Sequence, residues 1–382
     1  MKTFKTEFYP TAEQAEYIRM ACGVRRWTWN WAVEQYFAAA KNDFFMTAYM
    51  LNTKLNHEVV PNKPWLSEVN SMARSEALKD FGLAIKAYVE ARHRSKRTVE
   101  KIPVDKYKPS FKKKGKCTES FRLQKKNDSV FQVHSAHDIS LVTVRGKQRL
   151  HIHPLESVAF LMSADIKTCT ISIKGGRFFI SLTYERTNQG QRKCGNGKVG
   201  IDLGIKHAAT VWNGEASSFL DIPASLKNAE KKTERRNQRL SRSQPGSHRH
   251  AKLLVQLQRA YMHEANIKKD WREKVTTKLV AENKTIVIDD FGFEGAKNLD
   301  CCRALYRVGT YSFKLRLNQK ASEAGTKVIY VPKGTPTTQT CSHCGKRPET
   351  KIGLNERTYV CEHCGFTIDR DVNAAINTYN YC

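Results

Sequence analysis

No run of 18 or more apolar residues occurs in the 382-residue chain, and a membrane-spanning helix needs about 20. A transmembrane protein is therefore not expected. The opening residues, MKTFKTEFYPTAEQ, lack the apolar stretch of a signal peptide. Without an export signal, the 11 cysteines are expected in a reducing compartment, where thiols bind metal or pack in cores. No internal repeat or low-complexity tract is evident. Acid is scarce: 37 Asp and Glu face 65 Lys and Arg, a formal charge of +28. That excess goes beyond what solubility needs and points to a polyanionic partner. Ribosomal proteins are usually much shorter, and a binder of anionic membranes would show a basic amphipathic helix beside an apolar anchor. With 40% hydrophobic and 10% aromatic residues, the chain is globular and long enough for two or three domains.

Residues 3–10 read as a single strand. Thr11 with Gln14 three residues on makes a helix-start signal, and apolar positions recur at helical spacing to Cys22. Gly23 punctuates, so Val24–Lys41 reads as a second helix. It carries Trp27 and Trp31 on one face and Trp29 elsewhere, in core or interhelix roles rather than base stacking. Further helices are expected near 46–58 and 70–94, with Pro61 and Pro64 between them. Residues 92–126 hold 14 Lys/Arg against three acids. There Lys112, Lys113, Lys114 and Lys116 are candidates for phosphate contact, with solvated lysine as the alternative. From 129 to 186 come short β-rich runs (SVFQV, ISLVTV, RLHIH, TCTISI, RFFISLTYE), separated by turns at 145–147 and 174–177. They suggest a small barrel that the N-terminal strand completes. After a polar linker (187–198), residues 225–278 form long helices with 15 Lys/Arg against five acids. The Gln244-Pro245-Gly246-Ser247 break makes them a hairpin. Its basic face offers Lys231, Lys232, Arg235, Arg236, Arg239 and Arg242 as further candidate contacts. A strand at 285–288, a helix at 312–324, a strand at 327–331 and a short closing helix complete the reading.

Cys341-Ser342-His343-Cys344 and Cys361-Glu362-His363-Cys364 are two C-x2-C pairs with 16 residues between them, each followed by glycine. Two thiolates offered from one tight turn make a knuckle, and two knuckles close a tetrahedral zinc site. Such a site has no open coordination position, so its metal holds structure. His343 and His363 are the competing ligands, and a redox C-x-x-C is the competing function. Three acids carry the other chemistry. Asp202 follows the apolar Val199-Gly200-Ile201, Asp289 ends Ile286-Val287-Ile288, and Asp371 opens an Ala-rich helix. Each alone would cap a turn or pair with an arginine. Brought together, they can hold two Mg²⁺ ions for phosphodiester hydrolysis, since hard oxygen ligands suit Mg²⁺ rather than zinc.

VGIDLGIKHAATVWNG (199–214), IVIDDFGFEGAKN (286–298) and TTQTCSHCG…YVCEHCGFTIDRDVNAAIN (337–377), in this order and spacing, resemble TnpB, the transposon-encoded family related to type V CRISPR effectors. The helical segment, the basic PSFKKKG…ESFRL stretch and the β-rich segment extend the likeness over nearly the whole chain. The resemblance implies an α/β multidomain fold: a helical recognition lobe (11–95), and a β-barrel wedge domain whose first strand is 1–10 and whose remainder, with the basic segment, is 96–190. It further implies an RNase H-like RuvC domain (198–335, its basic hairpin at 225–280), an inserted zinc ribbon (336–366) and a closing helix (367–382). It also implies a guide RNA, a double-stranded DNA target beside a short motif read by protein, no membrane partner, and a prokaryotic cytoplasmic location, with the nucleoid when DNA is bound.

The chain departs from the family at two places. Its metal ligands are Asp, Glu, Asp in the family, and Asp202 and Asp371 match the first and third. The second position is Asp289, one methylene shorter, which withdraws the carboxylate by roughly 1–1.5 Å. Misplacement on the order of 1 Å can cost about a hundredfold in rate. Asp290 is a poor substitute because alternation turns it to the other strand face. Glu294 substitutes only if its loop folds back. The second departure is the end, where only 11 residues follow Asp371 and family members commonly continue somewhat further. The expected function is therefore RNA-guided DNA binding with lost or weakened cleavage, repressing transcription by occupancy. An active RNA-guided Mg²⁺-dependent endonuclease and a generic zinc-ribbon nucleic-acid-binding protein are the alternatives.

Overall fold

A computed structural model describes residues 1–97, 103–125, 127–144, 149–185, 193–204, 206–289, 309–350, 352–353 and 356–382. The turn at 145–147, Asp290 and Glu294 lie outside the described residues, as does the linker up to residue 192. The chain divides into two compact units, Met1–Thr187 and Asn188–Cys382.

In the first unit, strand β1 (Lys2–Phe8) leads into helix α1 (Ala12–Ala40). The Thr11 hydroxyl accepts from the Gln14 N–H at 3.2 Å, and the Gln14 side chain accepts from the Thr11 N–H at 3.1 Å, the reciprocal cap that the sequence signals. One expectation fails here. Helix α1 runs unbroken through Gly23, where the sequence suggested two helices. A glycine inside a helix costs only about 1 kcal/mol, less than the packing of the apolar residues on either side returns. Helices α2 (Ala48–Lys54) and α3 (Met72–Arg97) bury Leu51, Leu78 and Phe81 against Trp29, Trp31 and Tyr36 of α1. The ring of Trp29 meets Phe81 edge-on at 5.6 Å, and Trp27 stacks on Trp31 at 6.5 Å. These tryptophans pack helices together, as expected.

The strands β2 (Glu119–Gln124), β6 (Ile166–Lys174) and β7 (Arg177–Tyr184) join β1 in an antiparallel sheet of order β1-β7-β6-β2. Sequence reasoning left β2 in the basic segment. Its Arg122 fastens it to α3 by ion pairs of 2.8 Å to both Glu76 and Asp80. Strands β3 (Phe131–Ser135), β4 (Asp138–Leu141) and β5 (Leu150–Ile152) form a second antiparallel sheet. Both sheets share one core, including Phe8, Phe121, Phe131, Leu141 and Ile180, and a single bridge pairs Phe8 with Pro154.

In the second unit, a five-stranded sheet has the order β10-β9-β8-β11-β12. It comprises β8 (Gly197–Asp202), β9 (Ala209–Trp212), β10 (Ser217–Leu220), β11 (Asn283–Asp289) and β12 (Lys327–Val331). The first three form an antiparallel meander, and β11 lies parallel to both β8 and β12. Between β10 and β11 the chain makes a helical hairpin of α4 (Ala224–Ser241) and α5 (His248–Glu282). Its turn uses Gly246 at φ +88°, as the Pro-Gly break anticipates. Helix α6 (Thr310–Ala324) packs Phe313 against Trp271 of α5 at 5.9 Å.

Lys320 of α6 is fully buried, yet its ammonium is satisfied. It donates to the Glu273 carbonyl at 2.7 Å, to Thr276 Oγ1 at 2.9 Å and to Thr277 Oγ1 at 2.7 Å. It also lies 2.9 Å from the Glu273 carboxylate, which Arg316 grips as well at 2.8 Å. Burial works against the Glu273 charge, but hydrogen bonds from Arg316 and Lys320 outweigh it and hold the carboxyl at about 2. A depressed carboxyl stabilises the fold above its unfolded value of about 4.3, and that contribution fades as pH falls toward 2. Glu273→Gln is therefore expected to cost about 2–3 kcal/mol at pH 7, because a buried ammonium loses its counter-charge. Chemical denaturation of both proteins should show this difference narrowing at pH 3 and below; a constant difference would refute the assignment.

Helix α7 (Arg370–Tyr379) closes the unit against β8. The approach is so close that a Cβ at Gly200 would lie 2.5 Å from both the Ala375 carbonyl oxygen and the Tyr379 nitrogen. Gly200→Ala is expected to lose about 3 kcal/mol through backbone overpacking, read as a drop in unfolding midpoint.

Candidate metal centre and acidic cluster

Two identical turns build the metal centre. In each, the glycine N–H donates at 2.9 Å to the carbonyl of the first cysteine: Gly345 to Cys341, and Gly365 to Cys361. Both glycines have φ near +70°, at +74° and +71°, where a side chain would be strained. Strands β13 (Thr358–Val360) and β14 (Thr367–Asp369) pair around the second turn. The four sulfurs of Cys341, Cys344, Cys361 and Cys364 all lie within 4.8 Å of one another, with 3.8 Å between Cys341 and Cys364 and 3.6 Å between Cys344 and Cys361. Tetrahedral zinc with bonds of about 2.3 Å separates its sulfurs by about 3.8 Å, so the cluster has the dimensions to hold zinc. The histidine alternatives do not enter it. His343 stacks on Phe366 at 5.2 Å, and His363 Nε2 donates to the Arg347 carbonyl at 3.0 Å.

The three acids lie on β8, β11 and α7. The parallel pairing sets Ile288 beside Ile201, so Asp289 and Asp202 leave adjacent strand ends together. Burial, reinforced by the neighbouring charges of Asp289 and then Asp371, pushes the Asp202 carboxyl up to about 8, with Arg370 opposing. Among the described residues, the cysteines alone bring three or more ligand atoms within 4.8 Å of one another, so the carboxylates do not gather around a single point. Asp371 is buried in the first turn of α7 and lies 3.4 Å from Arg370 and 3.8 Å from Arg357. Its neighbour Asp369 is the helix cap, accepting from the N–H groups of Asp371 at 2.9 Å and Val372 at 3.2 Å.

Sequence reasoning missed Arg357, Arg370 and Thr337, whose hydroxyl donates to Asp289 Oδ2 at 2.8 Å. The run TTQT lies beside the first knuckle, but nothing in its spacing points to a carboxylate 48 residues away.

The basic candidates divide by environment. Lys113, Lys114 and Lys116 are exposed, whereas Lys112 is half-buried with its ammonium 3.3 Å from the centre of the Trp29 ring. Asn30 grips the Lys112 backbone at both its N–H (2.7 Å) and its carbonyl (3.0 Å). Desolvation and then the charge of Arg25 bring the Lys112 ammonium down to about 8. On α4, Lys231, Lys232, Arg235 and Arg239 are exposed, as is Arg242 just beyond it, and Arg236 donates to the Gln256 carbonyl across the hairpin at 3.1 Å.

The chain is an α/β multidomain protein that resembles the Cas12f and TnpB proteins, with a four-cysteine cluster near its C-terminus. Three family models match it: a helix-turn-helix domain over residues 1–43, a probable transposase (OrfB_IS605) over 181–300, and a Cas12f1-like TNB domain over 311–378. The first covers β1 and the single uninterrupted helix α1. A putative RNA-guided DNA endonuclease of Streptomyces pristinaespiralis is 27% identical over 98% of this chain and 88% of its own length. The TnpB-like protein L79 of Acanthamoeba polyphaga mimivirus is 32% identical over 47% of this chain and 36% of its own. In fold, the chain is similar to the protein of a Cas12f1–sgRNA–target DNA complex, with a TM-score of 0.53, 14% identity, and coverage of 100% of this chain and 98% of that one. The resemblance to the TnpB family is borne out.

Proposed function

We propose that this is an RNA-guided DNA-binding protein with weakened or lost cleavage, acting as a transcriptional repressor by occupying its target. In this reading the second unit is an RNase H-like RuvC domain carrying an inserted zinc ribbon. The two sheets of the first unit are the wedge barrel, and α1 to α3 are the recognition lobe. An antiparallel meander continued by parallel strands, with acids at two adjacent strand ends and on the closing helix, supports the RuvC assignment. The +28 charge suits a guide RNA and its heteroduplex, held through phosphates while base pairing selects the DNA. Lys113, Lys114, Lys116 and the exposed cations of α4 and its C-cap are the phosphate contacts.

The observation that carries the reading is the acidic centre. Its three carboxylates are hard oxygen donors of the kind Mg²⁺ takes, and Asp202 and Asp289 leave adjacent strand ends. Mg²⁺ held by Asp202, Asp289 and Asp371 would supply an activated water and stabilise the leaving oxygen. Against efficient cutting stand the short Asp289 side chain and the two guanidiniums beside Asp371. The competing reading, an active endonuclease, is favoured by the name of the Streptomyces relative. The test is to purify the protein with its RNA and incubate it with matched plasmid and Mg²⁺. Retained binding without linear product supports the repressor, and cutting at enzyme-like rates overturns it. A preparation that carries no RNA refutes both guided readings in favour of a generic zinc-ribbon nucleic-acid-binding protein.

A further inference from the structure

We infer that Thr337 is a positioning residue for the acidic centre, fixing the carboxylate of Asp289 with a hydroxyl that the cysteine module and helix α7 hold in place. The inference rests on the reading of Asp202, Asp289 and Asp371 as a divalent-metal site.

Asp289 ends a strand adjacent to the one that ends in Asp202. A two-torsion side chain in that position would swing away unless something held it. Thr337 is 5% exposed, and its hydroxyl meets Asp289 Oδ2 at 2.8 Å. One carboxylate oxygen is thereby anchored by a neutral hydroxyl donor. Metal-ligating carboxylates depend on partners of this sort, whose loss typically costs about 10–100-fold in metal affinity.

The hydroxyl is itself held by a ladder of amides. Asn377 Nδ2 donates to the carbonyls of Thr337 at 2.7 Å and Thr340 at 2.6 Å. One turn earlier on α7, Asn373 Nδ2 donates to the same Thr340 carbonyl at 2.7 Å, while its Oδ1 accepts from the Ser342 N–H at 2.9 Å. Asn373 is fully buried. The rungs therefore tie residues 337–342, which run into the first cysteine turn, to the helix that carries Asp371. A threonine serving only to fill a turn would need none of this alignment with Asp289.

The probe is Mn²⁺, titrated into the zinc-loaded full-length protein and followed by the paramagnetic resonance of free Mn²⁺. Asp202→Asn identifies binding at the acidic centre. Thr337→Val keeps the shape and removes the hydroxyl, and Thr337→Ser restores it. Zinc content and melting temperature are recorded for each. The expected result is about a tenfold loss of Mn²⁺ affinity in Thr337→Val and less than a twofold loss in Thr337→Ser, with one zinc retained in both. If Thr337→Val does not fold, Thr337→Ala takes its place with the same expectation. Mn²⁺ affinity that is unchanged without the hydroxyl, or that falls equally in Thr337→Ser, overturns the inference while leaving the metal centre standing. If Asp202→Asn removes no Mn²⁺ binding, the metal-centre reading falls and the inference falls with it.

Discussion

Replacing Cys341 by serine is expected to release the zinc of the C-terminal module and open residues 336–369 to protease. Among its described residues the module's core is small: Tyr359 is fully buried with Cys341 and Cys361, and Ile352, Phe366 and Ile368 pack around them. Two three-residue strands cannot hold a fold on that burial, whereas zinc binding to such a site supplies apparent free energies of about 10–16 kcal/mol. Removing one of four thiolates forfeits most of it. Metal analysis should fall from about one zinc per chain to well below half, and limited proteolysis should cut within the module. His343→Ala is the matched control. It loses a ring stacked on Phe366 but no ligand, so zinc content should stay near one. Full zinc retention in Cys341→Ser, or its loss in His343→Ala, would show that the ligand set is wrong.

What the sequence made legible is what depends on local spacing. The Thr11–Gln14 cap, the Pro-Gly break of the hairpin, the strand at 327–331 and the two cysteine turns all have their determinants within a few residues of one another. The structure places each of them as read. The errors arise where distant packing overrides local rules. Gly23 signals a break, but the apolar residues before and after it pack along one helix, and that burial exceeds the glycine penalty. Glu119–Gln124 reads as part of the basic segment because four of its six side chains are polar or charged; pairing with β6 and the ion pairs of Arg122 make it a strand. The acidic centre divides the same way. Each aspartate was visible as an acid at the end of an apolar strand or the start of a helix. Thr337, Arg357 and Arg370 were not, because their roles exist only once β11, the cysteine module and α7 meet.

Asp289→Glu is expected to raise Mg²⁺-dependent cutting of matched DNA by the RNA-loaded protein by about a hundredfold. Strand β11 fixes where the side chain begins, since Asp289 pairs with Val331 in register with its neighbours. The backbone therefore cannot advance to compensate for the missing methylene, and only a longer side chain can. Glutamate brings its carboxylate forward by roughly 1–1.5 Å. The gain has an opponent in the Thr337 hydrogen bond, set to the shorter chain at 2.8 Å. If glutamate keeps that bond by curling back, the advance is lost, and the double variant Asp289→Glu with Thr337→Ala should then cut faster than Asp289→Glu alone. Linear product is followed over time for the wild type, for both variants and for Asp371→Asn, which should not cut. A wild type that already cuts rapidly, with Asp289→Glu within threefold of it, would remove the methylene deficit as the determinant of rate and return the chain to the class of active nucleases.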